Sequence, residues 1–355
     1  MKRIAFTLFA ALMAVSCTTI DQPTGDSQTP RQRYTGEIGE SAVGVIPDSL
    51  IRDNDRNREF RITIEYPTRS ANNPLIIFSH GFGGSNRSYV ALSAYWASQG
   101  YVVIKPAHAD GNPAATVRSL EEAWQSQGAA DWANRVRDLS FILDSLDSLE
   151  QRYPELVGKI DRDRIGVGGH SYGAHTAMLI GGARTFPGGT DHADPRVKAI
   201  VMMSPQGPGE LRGLTSESFA TIGVPALFMT GGLDRGGSDT ETPQWRSEAF
   251  RLAPAGDKWL TLIEGASHAS FTGRRDDILE AAARREEQMR MPDRDGVVRP
   301  APQVRMSEGM FLRERDVFNS IKVLSLAFWD TYLRADDAGR EVLERTRGGV
   351  TIERR

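Results

Sequence analysis

The sequence predicts an α/β protein: a mostly parallel, doubly wound sheet with helices on both faces. Three observations predict it. From about residue 58, short β-rich runs alternate with helical stretches, the order that strand–crossover–strand units require. Leu75-Ile76-Ile77-Phe78-Ser79 and Tyr101-Val102-Val103-Ile104-Lys105 are continuously apolar, as strands covered on both faces are. Finally, Arg164-Ile165-Gly166-Val167-Gly168, then Gly169-His170-Ser171-Tyr172-Gly173, then Ala174 to Ile180 reads as strand, sharp turn and helix.

The elements follow in chain order. Lys2 and Arg3 precede a largely apolar stretch, Ile4 to Val15, too short to span a bilayer as a stable helix. It reads as an export signal over residues 1–17. Ala14-Val15-Ser16-Cys17 resembles the lipobox of bacterial lipoproteins, in which the cysteine is lipidated. An ordinary cleaved signal with an incidental cysteine is the alternative. The lipoprotein reading has the chain exported and lipid-anchored to the bilayer of the bacterial cell envelope, at the outer membrane or the periplasmic face. Thr18 rather than aspartate follows the cysteine, which in Gram-negative lipoproteins favours outer-membrane sorting. Residues 18–55, rich in Thr, Gln, Asp, Gly, Ser and Pro, read as a flexible tether. Residues 56–335 form the folded domain. In it Phe60 to Tyr66 alternates like a half-exposed edge strand. Further strands fall at Ile165–Gly168, Val197–Met203, Pro225–Thr230 and Trp259–Ile263, with helical candidates at 86–99, 117–149, 172–183 and 241–252. Residues 272–312 are polar on most sides and read as a polar insertion, either a partial lid or a solvated helix. Ile321, Leu324, Ala327, Phe328 and Tyr332 have helical spacing, which makes 316–334 the last core helix, with Trp329 a packing residue beside that stripe. Residues 336–355 read as a C-terminal helix and tail.

Composition narrows the chemistry. A chain of 355 residues with 39% apolar content is long enough to bury a sizeable core. A net charge of −3 with no basic block argues against a nucleic-acid partner. Cys17 is the only cysteine, so the folded part has no disulfide and no thiol nucleophile.

A serine hydroxyl is a poor nucleophile unless a general base takes its proton and a carboxylate orients that base. Ser171 sits at the centre of Gly-x-Ser-x-Gly in the strand–turn–helix context in which glycine allows a strained serine turn. In such proteins the acid and then the histidine follow the serine in the chain. Downstream, the strand ending at Thr230 runs into Gly231-Gly232-Leu233-Asp234, and the next into Glu264-Gly265-Ala266-Ser267-His268. Both Asp234 and His268 therefore fall at strand ends on the side of the serine. Asp239 and Glu264 are alternative acids. The chain has six histidines; His80, His108, His170, His175 and His192 lack the required order and read as structural. His80-Gly81-Phe82-Gly83-Gly84 follows the strand ending at Ser79. It suits a loop whose backbone N–H groups meet a developing oxyanion, with Phe82 as one donor and the Tyr172 amide as the other. His108-Ala109-Asp110 and Asp191-His192-Ala193-Asp194 do not make a convincing metal-ligand set. Gly166-Val167-Gly168-Gly169 does not complete a dinucleotide fingerprint. No cofactor is expected.

On these residues, and on Phe78 to Gly84, Gly100 to Val103 and Asp161 to Gly173, the chain resembles the α/β-hydrolase superfamily over roughly residues 58–335. Within it the chain is similar to the bacterial "predicted dienelactone hydrolase" group, itself similar to platelet-activating-factor acetylhydrolases and more distantly to cutinase-like polyester hydrolases. The resemblance implies a serine carboxylic-ester hydrolase working through an acyl-enzyme, on a small or lipid-like ester. True dienelactone hydrolases carry cysteine where this chain has Ser171, so that specificity is not implied. An amidase or peptidase using the same three residues, or a surface binding lipoprotein without turnover, are the alternatives. Phe82, Tyr172 and Trp124 are candidate lining residues for an acyl pocket.

Overall fold

A computed structural model describes residues 33–109, 129–236, 241–273, 308–345 and 348–355. The export signal with Cys17, most of the tether, Trp124, Asp239 and all but the ends of the 272–312 segment lie outside the described residues.

The strands form one sheet. In chain order they are β1 (Val43–Asp53), β2 (Arg58–Pro67), β3 (Asn73–Ser79), β4 (Val102–Pro106), β5 (Ile160–His170), β6 (Val197–Met203), β7 (Ala226–Leu233), β8 (Lys258–Ser267) and β9 (Val350–Arg354). Their spatial order is β1-β2-β4-β3-β5-β6-β7-β8-β9. The run from β4 through β8 is parallel, while β1, β2 and β9 pair antiparallel at the flanks. The helices are α1 (Val90–Ser98), α2 (Ala129–Asp144), α3 (Leu146–Arg152), α4 (Tyr172–Ile180), α5 (Pro243–Leu252), α6 (Glu308–Leu333) and α7 (Asp337–Glu344). This is the mostly parallel sheet with helices on both faces that the alternation of runs predicts, and it is consistent with the α/β-hydrolase fold that the resemblance implies.

Period-2 geometry explains the continuous apolar runs. On β3, Leu75 and Ile77 face one core with Trp132, Val136 and Leu139 of α2 and Ala174 and Met178 of α4. Ile76 and Phe78 face the other, with Leu92 and Trp96 of α1 and Leu324, Phe328 and Trp329 of α6. Trp329 is buried and packs as expected. It lies edge-on to Trp96, and a Cβ on Gly166 of β5 would come within 2.6 Å of its ring. The last core helix begins earlier than the apolar spacing suggests, at Glu308.

Three readings need correction. Phe60 to Tyr66 is not at the edge: β2 lies between β1 and β4 and is mostly buried. The edge is β1, inside the stretch read as tether. Its polar residues Asp48, Ser49 and Arg52 concealed a strand that, among the described residues, pairs with β2 alone. Order extends still further toward the N-terminus, where Arg33 Nε and the Tyr34 hydroxyl donate to Asp330 Oδ2 at 2.7 and 2.9 Å. At the other end the expected helix is α7, but the tail is not free: it forms β9, antiparallel to β8.

Candidate active site

The parallel strands aim their carboxyl ends in one direction, the edge at which open α/β sheets carry their sites. Ser171 directly follows β5 and caps α4, with φ 54° and ψ −117°, a strained region for a residue bearing a side chain. The flanking glycines make that turn feasible. A Cβ on Gly169 would lie 2.1 Å from the Gly173 carbonyl oxygen, and one on Gly173 would lie 1.9 Å from that of Ser79. Ser171 is 9% exposed, and its N–H donates to the Met203 carbonyl at 2.9 Å.

Asp234 arrives through a similar close approach. The β7–β8 register shifts between Gly231 and Leu233, and a Cβ on Gly231 would stand 2.0 Å from the Ala266 carbonyl oxygen. Without a side chain there, the ends of β7 and β8 converge. The Asp234 N–H turns back onto the Gly231 carbonyl at 3.0 Å. His268 opens a short 3-10 helix, His268–Thr272, whose first turn is closed by reciprocal bonds between Ser267 and Ser270. His268 Nδ1 then lies 3.0 Å from Asp234 Oδ1. The histidine side chain is 23% exposed and the carboxylate fully buried. Of the alternative acids, Glu264 is exposed and Asp239 lies outside the described residues.

Asp234 is held as an anion. Burial alone would raise its carboxyl. The His268 hydrogen bond, the Arg246 charge and the Ser204 hydroxyl outweigh that and hold it below the usual carboxylate range. Ser204 Oγ and Thr230 Oγ1 donate to Oδ2 at 2.7 and 3.0 Å, and buried Arg246 Nε stands 3.1 Å from Oδ1. An imidazole whose Nδ1–H is held by such an anion presents Nε2 as an acceptor.

The other histidines sit in structural settings. The His170 ring lies 4.7 Å from that of His268, centroid to centroid, and stacks on Phe271. Burial, reinforced by His268, pushes His170 well below the ordinary histidine range. Its Nδ1 is 2.8 Å from the Tyr89 hydroxyl, which also accepts the Gly81 N–H at 3.1 Å. Burial pushes His175 down to about 3, and its Nε2 meets the Arg212 carbonyl. His192 bonds Thr185. His80 Nε2 accepts the His108 N–H at 3.0 Å.

The glycine loop after β3 folds back on itself, with the Gly84 N–H bonded to the Gly81 carbonyl at 3.1 Å and Gly83 at φ 70°. With the Gly81 N–H committed to Tyr89, Phe82 is the next amide along the loop. Its half-buried side chain packs against the core. Tyr172 begins α4 and is buried.

Sequence reasoning missed Ser204, Arg246, Tyr89 and Arg135. Ser204 had a usable signal, because it stands directly after the apolar run Val197–Met203, at a strand's carboxyl end. The other three lie on or beside helices, and no local motif marks them.

Sheet order, serine turn and loop together define the α/β-hydrolase fold class. Comparison with known proteins narrows the likeness. Residues 57–138 match the family described as platelet-activating factor acetylhydrolase, isoform II. The chain is 29% identical over 234 residues to the platelet-activating factor acetylhydrolase of Bos taurus, covering 56% of this chain and 48% of that protein. It is 23% identical over 227 residues to that of Cavia porcellus, with the same coverage of 56% and 48%, and 29% identical over 137 residues to that of Canis lupus familiaris, covering 30% and 31%. The matched region thus spans about half, or less, of the length of these relatives.

Proposed function

We propose that the protein is a serine hydrolase of carboxylic esters, with Ser171 as nucleophile, His268 as general base and acid, and Asp234 as the orienting carboxylate. The observation that carries this reading is the 3.0 Å contact between His268 Nδ1 and a fully buried Asp234, at the sheet edge where Ser171 holds its strained turn. His268 Nε2 takes the Ser171 proton as Oγ bonds to the ester carbonyl carbon. The Phe82 and Tyr172 amides receive the negative oxygen. Collapse breaks the bond to the alcohol, which leaves with the proton from His268. A water molecule, deprotonated by the same histidine, then cleaves the acyl-enzyme and regenerates Ser171.

The likeness to acetylhydrolases supports a lipid-like ester carrying a short acyl group as substrate. A p-nitrophenyl ester series of increasing acyl length, run beside the matching anilides, tests this. Turnover of short-chain esters with little anilide cleavage is expected; faster anilide cleavage would make the protein an amidase. The reading also keeps Cys17 as the site of a lipid anchor. Incorporation of labelled fatty acid that disappears in Cys17→Ser tests that part separately.

A further inference from the structure

We propose that Arg135 is a positioning residue that holds the two oxyanion-binding amides in register, an inference that rests on the roles given above to Phe82 and Tyr172. Arg135 is buried on α2. Its Nη1 donates to the His80 carbonyl at 2.8 Å and lies 3.3 Å from Ser79 Oγ. Its guanidinium carbon stands 4.0 Å from the centre of the Tyr172 ring, within cation–π range. One planar cation therefore touches both the residue that opens the glycine loop and the residue that begins the elbow helix.

The peptide between His80 and Gly81 is pinned at both ends. Arg135 holds its C=O, and the Tyr89 hydroxyl accepts its N–H at 3.1 Å. The next peptide carries the Phe82 N–H and inherits that orientation, because a peptide is a rigid plane with only two soft torsions separating it from the next.

A brace supports the clamp from below. Ser79 Oγ is 2.9 Å from His108 Nε2, and His108 Nδ1 is 2.9 Å from Asp138 Oδ2. These are the residue types of a catalytic triad, but all three are buried, so no substrate reaches them. Asp138 lies one turn beyond Arg135 on the same helix, and it also accepts hydrogen bonds from Arg56 and Arg58. The His108 N–H bonds His80 Nε2, which leaves the His80 proton on Nδ1, 2.7 Å from the Gly81 carbonyl. The brace fixes His80, and Arg135 ties it to Tyr172.

The test compares wild type with Arg135→Gln and Arg135→Lys, using p-nitrophenyl acetate turnover and inhibition by an aryl trifluoromethyl ketone, which forms a tetrahedral oxyanion adduct with an active serine. For Arg135→Gln, kcat is expected to fall about 10²-fold, with the inhibition constant rising in parallel and KM changing by less than about threefold. Lysine cannot present the planar fork and recovers only part of the loss, whereas added guanidinium raises the turnover of Arg135→Gln. If Arg135→Gln does not fold, Arg135→Lys and Tyr172→Leu, which removes the ring but keeps the amide, carry the test, with kcat falling about tenfold or more. A folded Arg135→Gln with kcat and ketone affinity within about threefold of wild type overturns the proposal and leaves Ser171 catalysis standing. A wild-type enzyme whose Ser171 forms no covalent adduct with a fluorophosphonate overturns both.

Discussion

Ser204 Oγ lies 2.7 Å from Asp234 Oδ2, and that bond ties the strand beside the serine turn to the acid that meets His268. Ser204 itself is held at φ 53°. Its N–H donates to the Met229 carbonyl at 2.8 Å, while its neighbour Met203 accepts the Ser171 N–H at 2.9 Å. The end of β6 is thus a strut between the turn on β5 and the carboxylate on β7.

Removing the strut and removing the charge should therefore differ in size. Ser204→Ala leaves Thr230, Arg246 and His268 on the carboxylate, and should cost about 1.5–3 kcal/mol of stability as a lost hydrogen bond to a charged group. Asp234→Asn keeps the volume but no longer fixes the Nδ1–H tautomer, and should lower kcat about 10⁴-fold. Thermal unfolding and ester turnover on the two variants check the pair.

Gly173 has no room for even a methyl group. A Cβ there would stand 1.9 Å from the Ser79 carbonyl oxygen and 2.8 Å from that of His80, so Gly173→Ala must push α4 away from the loop after β3. The expected cost is about 1–3 kcal/mol or more, a loss of several degrees in melting temperature, with ester turnover falling further than stability because the Phe82 and Tyr172 amides proposed to hold the oxyanion both shift.

Acid should unfold the protein partly through two buried carboxyls. Burial acts to raise Asp138, but the His108 and Arg58 contacts outweigh it and hold it below the usual range; Asp234 is lowered in the same sense. A depressed folded pKa means the native state binds fewer protons than the unfolded chain. The stabilisation is present above the unfolded value of about 3.9 and is lost as pH falls through the lower folded value. Urea midpoints measured from neutral pH down to about pH 3 should decline. Asp138→Asn should be less stable at neutral pH, with a shallower decline in acid.

Much of this was legible in the sequence because local pattern and environment agree. Leu75–Phe78 and Val102–Ile104 announce covered strands since both faces are buried. Gly169 and Gly173 announce the turn since only glycine fits there. β1 was hidden because an edge strand is stabilised by its pairing with β2, and Asp48, Ser49 and Arg52 give it the composition of a linker. β9 was hidden for a similar reason, its Val350 and Ile352 being too few to signal a strand apart from β8. Chain order brought Asp234 forward, but the burial that favours it over Glu264 depends on tertiary structure. Arg135, Arg246 and Tyr89 act across elements far apart in sequence, so no local spacing records them.

Every step proposed for the site needs Ser171 as the activated nucleophile. Reaction with a fluorophosphonate probe, followed by peptide mapping, tests it most directly. The predicted result is a single adduct on Ser171, absent in Ser171→Ala, with turnover of that variant reduced roughly 10⁶-fold. A folded wild-type protein that takes no label at Ser171, or a Ser171→Ala variant within a few-fold of wild-type turnover, would contradict it.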